Sequence, residues 1–236
     1  MDSVAATRKL IGGLVILATM AGCSQPKEAA TADPARGSAS TSAATPTPAG
    51  GSLATPTPAG GSRFTAGNFS MELPPDWKVI DLTAKDWEGI LTKVATEPAY
   101  KDMVAQVKKV ASNGTFKMFA LGPAANNFVQ NLSVSQDNAG ATITADQLKP
   151  ELAQQLASIA DGPVDANPVT LPAGGALRYN YSVKPQTPHG PSVSTVGFII
   201  IQGTNLTTIT FSCLAADKPK MIEFADKTVQ SFQFKN

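Results

Sequence analysis

The feature that most limits what this chain can fold into is residues 24–62, built almost wholly from Ser, Thr, Ala, Pro and Gly; the exceptions are Gln25, Lys27, Glu28, Asp33, Arg36 and Leu53. A segment with no aromatic and a single branched apolar side chain cannot bury enough surface to offset the entropy of ordering itself, so it is expected to be a disordered tether. Its Ala-Thr-Pro-Thr-Pro-Ala-Gly-Gly-Ser motif occurs at residues 44–52 and again at 54–62, which reads as duplication of a linker. Thr-Pro pairs stiffen it toward polyproline II and Gly-Gly-Ser joints loosen it, giving a span of roughly 35 Å on average and about 120 Å when extended. Any core must therefore come from residues 63–236. That length suits one domain, and it can bury a full core without metals or disulfides.

What precedes the tether reads as an address. Arg8-Lys9 leads into an apolar run over residues 10–21 that ends at Ala21-Gly22-Cys23, the order of a secretory signal. The run is shorter than a membrane-spanning helix requires, and Gly12, Gly13 and Thr19 interrupt it. Met20-Ala21-Gly22-Cys23 resembles the bacterial lipoprotein box, in which the cysteine carries the lipid. The resemblance implies a signal peptide over residues 1–22, lipidation of Cys23, and a protein held by acyl chains on the extracytoplasmic face of the cell membrane. Each buried methylene is worth about 0.8 kcal/mol in such an anchor. With Cys23 used, Cys213 is the one cysteine left; it lies at the end of an apolar strand and is expected in the core.

The charges of residues 63–236 balance, and the whole chain has a net charge of +1. A nucleic-acid binder would carry a basic excess, so none is expected as a partner. The single histidine excludes histidine-rich metal sites. No Gly-rich phosphate loop or metal-spaced Cys/His set occurs, and no cofactor is expected.

Residues 68–73 alternate apolar and polar as a strand does, and Pro74-Pro75 stops them. Thr83 is expected to cap a helix carrying Trp87, Ile90, Leu91 and Val94, and a second helix carries Tyr100, Met103, Val104, Val107 and Val110. Strands follow over 116–121 and 128–136, with a turn expected at Gly122-Pro123. A third helix begins at Thr144 or Asp146 and runs toward Asp161-Gly162. Strands are expected over 176–184, 193–202 and 206–214, the last two joined by a hairpin at Gly203-Thr204-Asn205. The run Phe198-Ile199-Ile200-Ile201 belongs in the middle of the sheet. A last helix over 218–229 and a short strand at 232–234 close the chain. Strands in meanders with helices between them imply the α+β class, an antiparallel β-sheet covered by helices.

This order resembles the PsbP-like fold, shared by an extrinsic subunit of photosystem II, a nuclear-import factor and many bacterial lipoproteins. The residues that carry the resemblance are Phe69-Ser70-Met71-Glu72-Leu73-Pro74-Pro75-Asp76-Trp77, the strand from Asn127 to Val134, the Gly174-Gly175-Ala176 turn, and the terminal hairpin, helix and strand. The box and tether add similarity to LpqN-type mycobacterial lipoproteins, which implies a role in the cell envelope. The resemblance carries over no catalytic residues.

Candidate sites are few. Trp77, Trp87 and Tyr100 are the leading candidate ligand-binding aromatics, and Tyr179 and Tyr181 could line a groove as well, with core packing as the competing role for Trp77. Glu72, Asp76, Asp81 and Asp86 match no calcium loop and read as caps and surface charge. His189 sits in the proline-rich stretch 184–191, and no Gly-x-Ser-x-Gly elbow accompanies it. The resulting expectation is a lipid-anchored, non-catalytic binding or accessory module that contacts a protein or an envelope lipid or glycan. A hydrophobic-ligand carrier and a hydrolase using His189 remain as alternatives.

Overall fold

A computed structural model describes residues 61–97, 100–112, 114–125, 128–183, 185 and 190–235. The signal segment, Cys23, the tether up to residue 60 and His189 lie outside the described residues. Seven strands form one antiparallel sheet in the order β3 (Lys78–Asp81), β4 (Phe116–Ala125), β5 (Phe128–Asn138), β9 (Asn205–Leu214), β8 (Val193–Gln202), β7 (Gly174–Val183) and β6 (Asp165–Leu171). A second sheet of three strands has β2 (Phe69–Leu73) between β1 (Ser62–Ala66) and β10 (Gln233–Phe234). The helices are α1 (Trp87–Val94), α2 (Lys101–Ala111), α3 (Ala145–Leu156) and α4 (Lys218–Gln230). This is the α+β architecture that the alternation of strands and helices implied. Among the described residues no helix is long and apolar enough to cross a membrane.

Successive side chains on a strand point to opposite faces, so the register of the large sheet sorts its residues into two sets. On the first face Met118, Leu132, Val134, Val196, Phe198, Ile200, Ile209, Phe211 and Cys213 join one continuous core with Phe69, Met71 and Leu73 of the small sheet and Met221, Phe224, Ala225 and Val229 of α4. Phe224 stacks on Trp77 at 5.2 Å between ring centroids and meets Phe211 edge-on at 5.8 Å. Arg178 ties α4 to β7 through two bonds to Asp226, 2.8 Å from Nε and 3.1 Å from Nη2. The second face carries two separate apolar clusters. One lies under α3 and includes Leu148, Leu152, Leu156, Leu177, Tyr179 and Tyr181. The other lies under α1 and α2 and includes Leu91, Val104, Val107, Phe116, Phe119 and Leu121.

Local chemistry moves some boundaries away from the sequence reading. Thr83 caps no helix, because Asp81 Oδ1 takes both its N–H, at 2.8 Å, and its hydroxyl, at 2.6 Å. The chain turns once more, and α1 starts after Asp86 with no side-chain cap. Gly122-Pro123 forms no turn. β4 runs through both residues with a register shift between Leu121 and Ala124, a bulge that accommodates a proline lacking its N–H. Thr144 does begin α3, in a capping box with Gln147, but the helix stops at Leu156. β1 takes in Ser62, so strand structure begins one residue before the expected tether boundary.

Candidate functional site

Of the three candidate aromatics, Trp77 lies in the core of the first face, while Trp87 and Tyr100 belong to the second-face cluster of α1 and α2. Trp77 and Tyr100 converge on one residue. A Cβ on Gly122 would come within 2.8 Å of Trp77 Cζ2, and the Tyr100 hydroxyl reaches the Gly122 carbonyl at 3.4 Å. Tyr100 is buried and its phenol is pushed up by that burial, against the pull of Lys78, whose Nζ stands 5.6 Å from the ring centroid. Lys78 is itself paired with Glu97 at 2.7 Å. Trp87 is half-buried at the start of α1. Trp87 and Tyr100 thus share one cluster, and Trp77 and Tyr100 meet at Gly122.

Of the acidic residues singled out from the sequence, Glu72 pairs with Arg63 at 3.1 Å and Asp81 holds Thr83. Among the described residues no three His, Cys, Asp or Glu side chains gather in a metal-binding set. Cys213 is fully buried in the first-face core, and burial pushes its thiol up to about 12, with Asp217 adding to the rise. At neutral pH it stays a thiol, the unreactive form. Where the tether joins the domain, Gly61, Leu73, Pro74 and the end of α4 enclose a recess of about 30 Å³, room for a water or two.

The second face holds a feature that the sequence reading missed. Between its two apolar clusters the central strands present Asn131, Ser133 and Ser135 from β5, Thr208, Thr210 and Ser212 from β9, and Thr195 and Gly197 from β8. The register aligns them in rows across the sheet. One row runs Tyr181, Thr195, Ser212, Asn131, and the next runs Tyr179, Gly197, Thr210, Ser133. Cross-strand partners share a face, so these side chains form one polar strip flanked by apolar walls.

The two rows are satisfied differently. Tyr179 lies over Gly197, where any Cβ would overlap its ring, and its hydroxyl shares a hydrogen bond of 3.1 Å with Thr210. Tyr181 stacks beside Tyr179 at 6.3 Å and leans the same way, but its row has a threonine where the other has glycine. The Thr195 hydroxyl is near enough to draw the Tyr181 phenol down, and among the described residues neither group makes a hydrogen bond of ordinary geometry. Ser212 Oγ has no partner among the described residues. All three residues are sealed, at 1%, 0% and 2% exposure for Tyr181, Thr195 and Ser212. Burial pushes the Tyr181 phenol up to about 12, so it remains neutral. Asn131 donates to the Val129 carbonyl at 3.2 Å.

The strip holds no charge along these rows. The first ionisable group on its β5 side is Asp137, opposite Leu206 and half-buried, with its carboxyl raised by burial and partly drawn back by Lys117. Toward that end the strip opens, since Thr208 is half-buried where Thr210 and Ser212 are buried. The sequence signal was the alternation of residues 131–135 and 208–212. Such alternation marks two chemically unlike faces without saying what covers the polar one.

No protein-family model matches the chain, and no curated protein matches it by sequence. Three solved structures are similar to it in fold. One is a protein from Bacteroides thetaiotaomicron, 13% identical, matched over 75% of this chain and 49% of that one with a TM-score of 0.43. Another is LpqN of Mycobacterium tuberculosis, described as involved in cell envelope biogenesis, 13% identical over 75% of this chain and 86% of that one with a TM-score of 0.41. The third is the cyanobacterial PsbP of Synechocystis sp. PCC 6803, 14% identical over 73% of this chain and 91% of that one with a TM-score of 0.40. The chain spans about half the length of the Bacteroides protein. The last two are the kinds of protein that the motif order resembles, at low identity.

Proposed function

We propose that this chain is a lipid-anchored, non-catalytic binding or accessory module on the extracytoplasmic face of a bacterial membrane, held there through Cys23. The observation that carries the reading is the order of three unlike segments: an apolar signal ending in Ala21-Gly22-Cys23, residues 24–62 with no means of forming a core, and a domain whose first strand starts at Ser62. Acyl chains on Cys23 supply the membrane affinity, and the tether lets the domain stand roughly 35 Å from the surface. The burial of Cys213 and the height of its thiol pKa speak for a binding role over nucleophilic chemistry at that residue. The partner is a protein, or a lipid or glycan of the envelope. Fractionation of Cys23→Ala tests the anchor. The variant is expected in the soluble extracytoplasmic fraction, and a variant that stays with the membrane as firmly as the parent overturns the reading.

A further inference from the structure

The two helical layers of the second face carry opposite charge. Residues 101–117, which hold α2 and the turn into β4, contain Lys101, Lys108, Lys109 and Lys117 against the single acid Asp102. Residues 145–165, which hold α3 and the turn into β6, contain Asp146, Glu151, Asp161 and Asp165 against the single base Lys149. α2 packs on β4, and α3 on β6 and β7, so the two charges stand toward opposite edges of the seven-stranded sheet. Seven strands place those edges roughly 29 Å apart. The even charge of the domain thus conceals a dipole across one face.

The basic half is an open surface. Lys101, Ala105, Lys108 and Lys109 are exposed and recur at helical spacing, so they share one stripe of α2. Among the described residues none of these lysines is in an ion pair, while Glu97, the acid that precedes the helix, is already taken by Lys78 at 2.7 Å. Lys108 and Lys109 suit the negative end of α2, but Lys101 is its first residue, at the positive end, where a cation weakens the helix. Helix stability therefore does not account for the stripe.

The path of the chain brings the tether to the same edge. It enters β1 at Ser62, which pairs with Leu73 at the end of β2. One tight turn, closed by the Trp77 N–H on the Pro74 carbonyl at 3.1 Å, carries β2 into β3 at Lys78. Lys78 then holds Glu97, just before α2 begins. β1 itself lies beside β3, the edge strand on the α1 and α2 side.

We propose that the α2 stripe is a membrane-facing surface, in which Lys101, Lys108 and Lys109 meet the anionic headgroups of the bilayer that holds Cys23, with the α3 edge turned away. The inference rests on the lipid-anchor reading and adds an orientation to it. The three ammonium groups are spread over about 12 Å of helix, and the stripe between them holds nothing larger than Ala105, which suits a plane of headgroups and gives a protein partner no aromatic or aliphatic anchor. The tether's span of roughly 35 Å allows the domain to come down onto the bilayer. Being tied to that bilayer supplies a high effective concentration, so a few lysines suffice.

The test reconstitutes the full lipidated chain in vesicles of phosphatidylcholine alone or with phosphatidylglycerol added to about 30%, and follows acetylation of each lysine by mass spectrometry at low salt. On the anionic vesicles Lys101, Lys108 and Lys109 are expected to react about fivefold more slowly than on phosphatidylcholine, with Lys149 of α3 reacting alike on both and high salt erasing the difference. Equal rates for the α2 lysines on the two vesicles overturn the proposal and leave the stripe to an acidic protein or glycan. Equal slowing of Lys149 overturns it as well, since the domain then has no preferred side, and so does slowing that survives high salt. The anchor reads separately: a chain that washes off phosphatidylcholine vesicles lacks the lipid, and the lysine rates on the anionic vesicles still decide the stripe.

Discussion

On the first face of the seven-stranded sheet, Leu132, Val134, Ile209 and Phe211 enter a continuous core with α4 and the small sheet; on the second face the residues that alternate with them in sequence are Ser133, Ser135, Thr210 and Ser212. The same two strands thus serve a packed interior on one side and a buried polar strip on the other. The difference teaches how one pair of strands can carry two chemically unlike interiors. Apolar burial on the first face holds the fold, and the second face divides its core in two to keep hydrogen-bonding groups between the halves.

The largest effect expected from breaking this contrast lies on the first face. Phe224→Ala removes the ring that both Trp77 and Phe211 contact, and it should lower the free energy of unfolding by about 3–5 kcal/mol in urea titrations. A loss below about 1 kcal/mol would mean that this face is not the structural one. Next comes Gly197→Ala, which drives a Cβ into the Tyr179 ring and should cost about 1–3 kcal/mol, although alanine is ordinarily the better strand residue. A stabilised variant would show that Tyr179 does not lie over the strip.

Smaller effects sharpen the contrast within the second face. Thr144→Ala removes the capping box of α3 and should cost about 1 kcal/mol, whereas Asp86→Ala and Tyr100→Phe remove no side-chain cap from α1 or α2. Hydrogen exchange then reports whether α1 and α2 open before α3, as their ends imply. The smallest effect is electrostatic. Burial raises the Asp137 carboxyl in the folded state, so its contribution to stability is fully present below the unfolded value near 3.8 and is lost as pH rises through the folded value. Asp137→Asn should therefore be the more stable protein at neutral pH, with the gap closing as pH falls through the folded value and fully closed below 3.8; a gap that widens on acidification would contradict the burial.

The core elements were legible in the sequence because period and position agreed. Residues 193–202 read as a central strand, and β8 is an interior strand, buried on both faces over most of its length. The hairpin at Gly203-Thr204 and the terminal helix also stand where turn chemistry and apolar spacing put them. What was not legible has physical reasons. β6 carries Asp165, Asn167 and Pro168, which locally favour turns, and it is a strand only because β7 offers it an edge. β1 and β3 are short and take their form from β2 and β4. Asp81 diverted Thr83 from its expected cap, a competition between neighbours that a capping rule applied to one residue does not see. The polar strip was hidden for a different reason. Alternation in one strand says that its two faces differ, and only the register of β5, β8 and β9 shows that their polar faces coincide beneath flanking helices.

The contrast between the faces is tested most directly by the unfolding free energy of Thr195→Val/Ser212→Ala in urea. These substitutions replace unpartnered buried hydroxyls with apolar groups of similar shape, so the double variant should be as stable as the parent or more stable, by up to about 2 kcal/mol. A loss of more than about 1 kcal/mol would show that the hydroxyls hold the fold together, and the contrast between an apolar face that supplies stability and a polar strip that does not would fail.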